Sequence, residues 1–316
     1  MAAFLGYDFV DTKDLIKFDA KGKLMMPETD EAIRAELAKH ERAVLPGFYG
    51  SLPDGSVKTF SRGGSDITGA LVARAMAADV YENWTDVSGF LMADPRIVEN
   101  PRNIERITYE ELRELSYMGA SVLHEDAIFP IREYNIPIHV LNTNRPQDPG
   151  TLVLAKIEDD ENGPLITGIA GKKGFLSIEI FKRNMSNMVG VVSGTLDVLR
   201  KYGVSIEHLP SGIDSFNVVL SRRDVEHNLY DILAEVKEKV APDSIRVTEP
   251  LALIAVVGRN MNARVGSSGK LFTALGAAGV NIRMISQGSS EIDIIVGVSE
   301  PDFDKAVRAL YDTFAQ

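Results

Sequence analysis

Phe60-Ser61-Arg62-Gly63-Gly64-Ser65-Asp66 lies between a short apolar segment, Ser56 to Phe60, and a small-residue helical pattern from Ile67 to Ala78. Strand, glycine pair and helix in that order leave free backbone N–H groups at a helix start, where an anion can bind. Gly63 and Gly64 allow close backbone approach and a positive φ. Ser65 or Asp66 is placed to cap the helix. Arg62 adds a planar cation suited to a carboxylate or a phosphate. On these residues alone two readings stand level, an anion site or a capped helix beside a solvated arginine. The motif is neither a P-loop nor a GxGxxG.

The surrounding chain narrows the choice. Its 316 residues are enough for two or three domains. Apolar residues make up 45% and charged ones 25%, as in ordinary globular proteins. No run approaches the roughly 18 apolar residues of a membrane helix. Met1-Ala2-Ala3-Phe4 opens without a basic region, so no signal peptide is read there. The absence of cysteine excludes disulfides and thiolate metal sites and suits a reducing cytoplasm. A net charge of −11 argues against a nucleic-acid footprint or an anionic membrane surface. An anionic small substrate would have to be met by local arginines.

Along the chain, Pro27 starts a helix with Ile33 and Leu37 on one face, and Ala43 to Phe48 reads as a short buried strand. The motif helix follows, then a strand from Val80 to Trp84. This alternation predicts an α/β fold with a parallel or mixed sheet covered by helices. Thr85 and Asp86 come just past that strand, where open α/β sheets bind ligands, although by position alone an Asx-type turn accounts for them somewhat better. Thr108 and Glu111 form a capping box, and Leu112, Leu115 and Met118 follow at core spacing. Ile136 to Leu141 is read as a strand and Asn142 to Gly150 as a loop. His40, His124, His139, His208 and His227 show no metal-binding spacing, so no metal site is predicted from histidine.

Glu158 to Pro164 is an acidic stretch closed by Gly-Pro and reads as a linker. Beyond it the chain repeats itself at an offset of 76 residues: Arg183-Asn184-Met185 returns as Arg259-Asn260-Met261, and Val189-Gly190 as Val265-Gly266. Gly203-Val204 returns as Gly279-Val280, and Val218-Val219 as Ile294-Ile295. In-register matches over this length mark a duplicated unit. Each copy runs strand, Val-Gly loop, amphipathic helix ending at a glycine, hairpin (Val204 to Ser211 its first strand in copy one), second helix. The second helices are Asp224 to Val240 and Pro301 to Phe314. The first copy closes with a strand, Ser244 to Thr248, giving βαββαβ, and the second stops one strand short. A spare strand, Leu165 to Ala170, precedes the first copy. The predicted arrangement therefore inserts the first unit within the second.

Taken together, Phe60 to Asp66, Trp84-Thr85-Asp86, Asp94-Pro95-Arg96 and Gly119 to His124 resemble the motifs of aspartokinases. The duplicated unit, with Ser211-Gly212-Ile213-Asp214, looks like that family's paired ACT domains, one inserted in the other. The resemblance spans essentially the whole chain. It implies the C-terminal portion of an amino-acid-kinase α/β/α sandwich at 1–157, a linker at 158–164 and a first ACT domain at 176–248. The second ACT domain would combine 165–171 with 250–316. It implies an enzyme that phosphorylates the side-chain carboxylate of L-aspartate with ATP and Mg2+.

By the same resemblance, Arg62 binds the substrate α-carboxylate, Gly63, Gly64 and Ser65 complete its cradle, and Asp66 orients the substrate. Thr85, Asp86 and Leu91 contact the nucleotide, Arg96 its phosphates, and Ser121 stands where many members carry a lysine contact. Such a site needs positive charge and N–H donors because several negative groups meet there. The family also has a Lys-Phe-Gly-Gly-Ser segment on its first strand, which does not occur in this sequence. The reading is an aspartokinase lacking the N-terminal part of its kinase domain.

A second reading is a catalytically incomplete, amino-acid-sensing regulatory chain. For regulation, the loop Asn184 to Gly190, including Met185, Met188 and Val189, presents N–H groups to an effector carboxylate before a helix. Ile206, Glu207 and Ser211, on the strand beyond, would receive its amino group across a dimer interface. The twin loop Asn260 to Gly266 is expected to be degenerate. Sequence does not choose between lysine and threonine as effector, and the ACT pair implies a homodimer or larger assembly.

Overall fold

The computed structural model describes residues 1–120, 130–158, 163–261, 264–288 and 290–315. Two compact units emerge. One comprises Met1–Met92 and Arg102–Asp160, the other Ala93–Pro101 and Glu161–Gln316.

In the first unit β1 (Asp8–Phe9) pairs in parallel with β2 (Ala43–Val44). The expected strand from Ala43 to Phe48 is therefore only two residues long, and half-buried; Pro46 lacks the N–H needed to continue a ladder. β3 (Tyr49–Ser51) and β4 (Val57–Thr59) form an antiparallel hairpin around Asp54-Gly55. The segment entering the glycine turn is thus an exposed hairpin arm and does not belong to the main sheet. That sheet has the order β5-β7-β8-β6, from Tyr81–Thr85, Ile138–Asn142, Thr151–Leu154 and Arg106–Thr108. β5 and β7 are parallel, β7 and β8 antiparallel, β8 and β6 parallel, so the sheet is mixed, as expected.

Helices Met26–Leu37 and Gly64–Ala75 pack on each other through Ile33, Leu37, Ile67 and Leu71, with Phe18 edge-on to Phe60. Asp30 and Arg74 form an ion pair of 3.1 Å between them, mostly withdrawn from water. The Thr108–Glu111 capping box is present, and Leu112, Leu115 and Met118 are buried.

The second unit is built on one five-stranded sheet in the order β10 (Ser215–Ser221), β9 (Gly168–Phe181), β11 (Ser244–Val257), β13 (Asp293–Ser299) and β12 (Ile282–Ser286). β9 (Gly168–Phe181) and β11 (Ser244–Val257) are long antiparallel partners that serve both copies of the repeat. Phe175–Phe181 pairs with β10 (Ser215–Ser221), and residues 177–181 also pair with Ser244–Thr248. Gly168–Ala170 lies antiparallel to Ala255–Val257, which pairs onward with β13 (Asp293–Ser299) and then β12 (Ile282–Ser286). Each half has the strand order of a ferredoxin-like unit. The strand completing the second half comes from chain that precedes the first, so one unit is inserted in the other. Helices Val191–Lys201 and Leu229–Val240 close one half through Val198, Leu199, Ile232 and Val236. Helices Ser267–Ala277 and Phe303–Phe314 bury Leu271, Leu275, Val307 and Leu310 in the other. No helix among the described residues is long and apolar enough to cross a membrane.

Two elements differ from expectation. The helix from Asp224 to Val240 is two pieces, Arg222–Val225 and Leu229–Val240. Asn228 leaves helical geometry at φ −123°, in keeping with the competition of Asn for local backbone bonds. Val204 to Ser211 forms no continuous strand and meets β10 only through bridges His208–Val219 and Ser211–Phe216. Glu207 N donates to Val219 O while Val219 N donates to His208 O, so two residues face one and the ladder slips. Pro210 then has no N–H to give.

Asp293, at the start of β13, carries a prediction about pH. It is 8% exposed, and burial pushes its carboxyl pKa up. A raised folded-state value means that its stabilising contribution is complete below the unfolded carboxyl value, near 3.9, and is lost as pH rises above it. The matching residue of the first copy is Asn217. Asp293→Asn is expected to raise the melting temperature at pH 7 by about 3 °C and to change it little at pH 4, which calorimetric scans at both values would read.

Candidate functional site

The glycine turn is made by close approach of two chain segments. Gly63 adopts φ 60° and ψ 21° at the N-cap of helix Gly64–Ala75, and no side chain caps that end. Neither Ser65 nor Asp66 caps it, contrary to expectation, because both lie inside the first turn. A Cβ on Gly64 would sit 2.8–2.9 Å from Phe48, and one on Gly47 3.0 Å from the Ser65 backbone. Phe48 itself has φ 84°, held by its N–H to Thr68 Oγ1 at 3.1 Å and by Phe60 N to its carbonyl at 2.9 Å. The first-turn N–H groups are left open. Arg62 is exposed, and among the described residues no carboxylate pairs with it. An unpaired guanidinium beside uncapped helical donors is equipment for an incoming carboxylate.

Asp66 is half-buried and tied to β5. Asn83 Nδ2 donates to Asp66 Oδ1 at 3.1 Å and to Tyr81 Oη at 3.1 Å, while Tyr81 O–H donates to the Asp66 carbonyl at 3.4 Å. Burial raises the Tyr81 phenol pKa, so the hydroxyl stays protonated and available as a donor. Neither Tyr81 nor Asn83 was anticipated. An asparagine on the buried face of a strand was the available signal, since strands disfavour it.

Thr85 ends β5, and its hydroxyl reaches Asp86 Oδ1 at 3.3 Å. Thr143 N donates to Thr85 O at 2.8 Å, tying the carboxyl ends of parallel strands β5 and β7 together. Asp86 is exposed. The next residues are held firmly: Ser88 Oγ contacts Asp148 Oδ2 at 2.5 Å, Asn142 Nδ2 at 2.8 Å and Arg145 Nη2 at 3.1 Å. The stretch read as a loop from Asn142 to Gly150 thus braces the Thr85–Asp86 turn, a role its sequence did not announce. Leu91 is exposed and bridged to Asn103.

Arg96 belongs to the Ala93–Pro101 segment of the second unit, where Arg308 Nε donates to Ile97 O at 2.9 Å. Its guanidinium is engaged by Asp94 at 2.6–3.1 Å, which holds the Asp94 carboxyl below the usual range. Ser121 and His124 lie outside the described residues, as do residues 159–162 of the acidic linker.

Among the described residues no three carboxylate or imidazole groups gather where a metal ion would sit. The Mg2+ of a nucleotide takes most of its ligands from phosphate and water and only one or two from carboxylates. The exposed carboxylate of Asp86 suits that modest demand. Two surface hollows stand out, one along Lys201, Tyr202, Glu235 and Lys239, the other along Phe9, Leu15, Ala32 and His40; Arg62 lines neither.

In the first copy of the repeat, Asn184 has φ 63° and Gly190 φ 96°, and helix Val191–Lys201 starts without a side-chain cap. Asp214 fastens this loop to the Ser211–Asp214 turn: its Oδ1 accepts from Asn184 N at 2.8 Å and its carbonyl from Lys182 N at 2.8 Å. The N–H groups of Met185, Asn187 and Met188 are spent within the turn and that of Asn184 on Asp214. The loop donors left open are those of Ser186, Val189 and Gly190, the last two running into the helix start, so the loop offers only part of the set expected of it. Val189 is fully exposed, Met188 and Ile213 are exposed, and Ile206 and Glu207 are half-buried. In the twin loop Asn260 and Met261 are buried and Asn260 Nδ2 donates to Pro164 O at 3.0 Å; Asn262 and Ala263 lie outside the described residues.

Known proteins resemble this chain along nearly its whole length. Residues 18–142 match the amino acid kinase family and residues 254–314 an ACT domain. Aspartokinase 3 of Bacillus subtilis is 39% identical over 99% of this chain and 71% of its own length. The crystal structure of Clostridium acetobutylicum aspartate kinase, described as an allosteric enzyme, superposes with a TM-score of 0.90 at 50% identity, covering 99% of this chain and 71% of that one. Escherichia coli aspartokinase III in complex with aspartate and ADP gives 0.74 at 26% identity, covering 98% of this chain and 70% of that one. The same enzyme in complex with lysine and aspartate gives 0.76 at 27% identity, covering 98% and 69%.

Proposed function

Since the chain belongs to the aspartokinase family, we propose that it transfers the γ-phosphoryl group of ATP to the side-chain carboxylate of L-aspartate, under amino-acid feedback through its paired ACT units. The observation that carries the reading is the unpaired Arg62 guanidinium beside the uncapped Gly63–Gly64 helix start. Arg62 takes the substrate α-carboxylate in a two-pronged contact, and the N–H groups of Gly64 and Ser65 add donors. Asp66 receives the substrate ammonium and so turns the side-chain carboxylate outward. That carboxylate is ionised at neutral pH and needs no base. Its oxygen forms a bond to the γ-phosphorus as the bond to the ADP oxygen breaks, leaving an acyl phosphate and ADP.

Thr85, Asp86 and Leu91 are assigned to the nucleotide, Arg96 and Ser121 to its phosphates. Mg2+ bound with ATP neutralises phosphate charge that would otherwise repel the incoming carboxylate. The residues of the chain contribute position: the Ser88 brace holds the Thr85–Asp86 turn, and the Asn83 bond holds Asp66. An error of one ångström in such placement costs about a hundredfold in rate.

We further assign the domains as 1–157 for the kinase portion, 158–164 for a linker, 176–248 for the first ACT domain, and 165–171 with 250–316 for the second. The effector, lysine or threonine, is placed at Asn184, Met185, Met188, Val189 and Gly190 with Ile206, Glu207 and Ser211. The open donors from Val189 onward support a carboxylate there, and exposed Val189 and Ile213 support burial by a second copy of the chain, hence a homodimer or larger. A cysteine-free composition fits a cytoplasmic enzyme.

Trapping the acyl phosphate with hydroxylamine tests the function directly. Chain, ATP, Mg2+ and aspartate are expected to yield aspartyl hydroxamate, and lysine or threonine to suppress it. No hydroxamate, with effector binding retained, would instead favour the regulatory reading.

A further inference from the structure

Three side chains meet between helix Gly64–Ala75 and β5 in an arrangement that the motifs do not account for. β5 alternates: Tyr81, Asn83 and Thr85 share one face, Glu82 and Trp84 the other. Strand positions facing a helix are ordinarily apolar, and asparagine is disfavoured in strands. Asn83 is nevertheless 8% exposed, and its amide is spent in full, one hydrogen to Asp66 Oδ1 and one to Tyr81 Oη, each at 3.1 Å. The space is shaped for this. A Cβ on Gly69 would lie 2.7 Å from the Tyr81 ring, so the tyrosine fits only because that helical position is glycine. The tyrosine hydroxyl in turn reaches the Asp66 carbonyl at 3.4 Å.

We propose that Asn83 is a positioning residue for aspartate: by donating to one oxygen of Asp66 it fixes that carboxylate toward the substrate bound at Arg62. The inference rests on the assignment of the glycine turn to aspartate made above. A hydrogen bond to an ionised acceptor is the stronger kind and sets direction as well as energy. With Oδ1 held by Asn83, Oδ2 is left to face the substrate ammonium. Thr85 follows two residues later on the same face, about 7 Å along the strand. One strand therefore registers the aspartate site through Asn83 and the nucleotide site through Thr85.

The pairing of sites on one strand supplies the test. Asn83→Asp keeps the volume but opposes an acceptor to an acceptor, and Asn83→Leu removes the donor. Each is expected to weaken L-aspartate binding to the full chain by about tenfold, with ADP affinity changed less than twofold, both by calorimetric titration. Tyr81→Phe keeps the ring on Gly69 and removes only the hydroxyl that steadies the amide, so a loss of about threefold for aspartate alone is expected. It serves if the Asn83 variants do not fold. Aspartate affinity unchanged in these variants overturns the inference, as does an equal loss for aspartate and ADP, which would mark Asn83 as a structural support of the strand. A wild-type chain that takes up no aspartate overturns the assignment of the turn itself and this inference with it.

Discussion

An Arg62→Ala variant is expected to lose L-aspartate affinity by about thirtyfold or more while its fold stays intact. Removing one partner of a close charge pair costs roughly 2–5 kcal/mol in binding, and each 1.4 kcal/mol is tenfold. Arg62 is exposed, and among the described residues no carboxylate pairs with it, so stability should change by less than about 0.5 kcal/mol. Arg62→Lys keeps the charge but replaces a planar fork by a point charge. It should recover only part of the loss. ADP affinity is the internal reference, since the nucleotide is assigned to Thr85 and Asp86 and not to Arg62. The pattern to look for is a large rise in the aspartate Kd, a partial return with lysine and a constant ADP Kd. An alanine variant that binds aspartate as the wild type does would remove Arg62 from the site, and with it the proposed mode of substrate binding.

Gly64→Ala should destabilise the first unit by about 3 kcal/mol, although helix propensity alone argues the other way. Alanine in place of a helical glycine ordinarily gains about 1 kcal/mol. Here the added methyl would lie 2.8 Å from Phe48 Cδ2 and 2.9 Å from Phe48 Cα. The ring can rotate, but the backbone cannot withdraw. Phe48 is pinned on both sides by Thr68 Oγ1 and Phe60 N and already has φ 84°. Gly276, in helix Ser267–Ala277, is the contrasting case, because its Cβ would meet nothing within 4 Å. Gly276→Ala is expected to follow propensity and stabilise its unit modestly. Trp84 is the single tryptophan and stands on β5 of the first unit, 48% exposed. Its fluorescence in a denaturant titration therefore reports on that unit. A Gly64→Ala midpoint equal to or above wild type would mean that the Gly47–Phe48 segment does not press on the helix start.

Much of this protein was readable before any coordinates. The duplication at an offset of 76 could be seen because each copy repeats the same local grammar, a Val-Gly turn before a helix and a glycine after it. The insertion followed from counting strands, one copy having a strand too few and a spare lying upstream; the pairing of Gly168–Ala170 with Ala255–Val257 supplies that strand. The capping box at Thr108 and the core spacing of Leu112, Leu115 and Met118 were equally local and equally visible.

Other features escaped because they depend on register and docking. Val57–Thr59 alternates like any strand, but its place in an exposed hairpin is set by the turn at Asp54-Gly55. The slip at Glu207 and His208 shows only when Val219 is seen to bond both. The bond from Asn83 to Asp66 spans 17 residues, and the Ser88 brace joins positions 54 to 60 residues apart. The family, the doubled unit and the residues of the glycine turn were legible along the chain, because period, turn chemistry and motif are properties of neighbouring residues. Which side chains hold Asp66 and the Thr85–Asp86 turn in place was set by the packed fold, because hydrogen bonds between distant segments exist only once a helix has docked on a strand in one register.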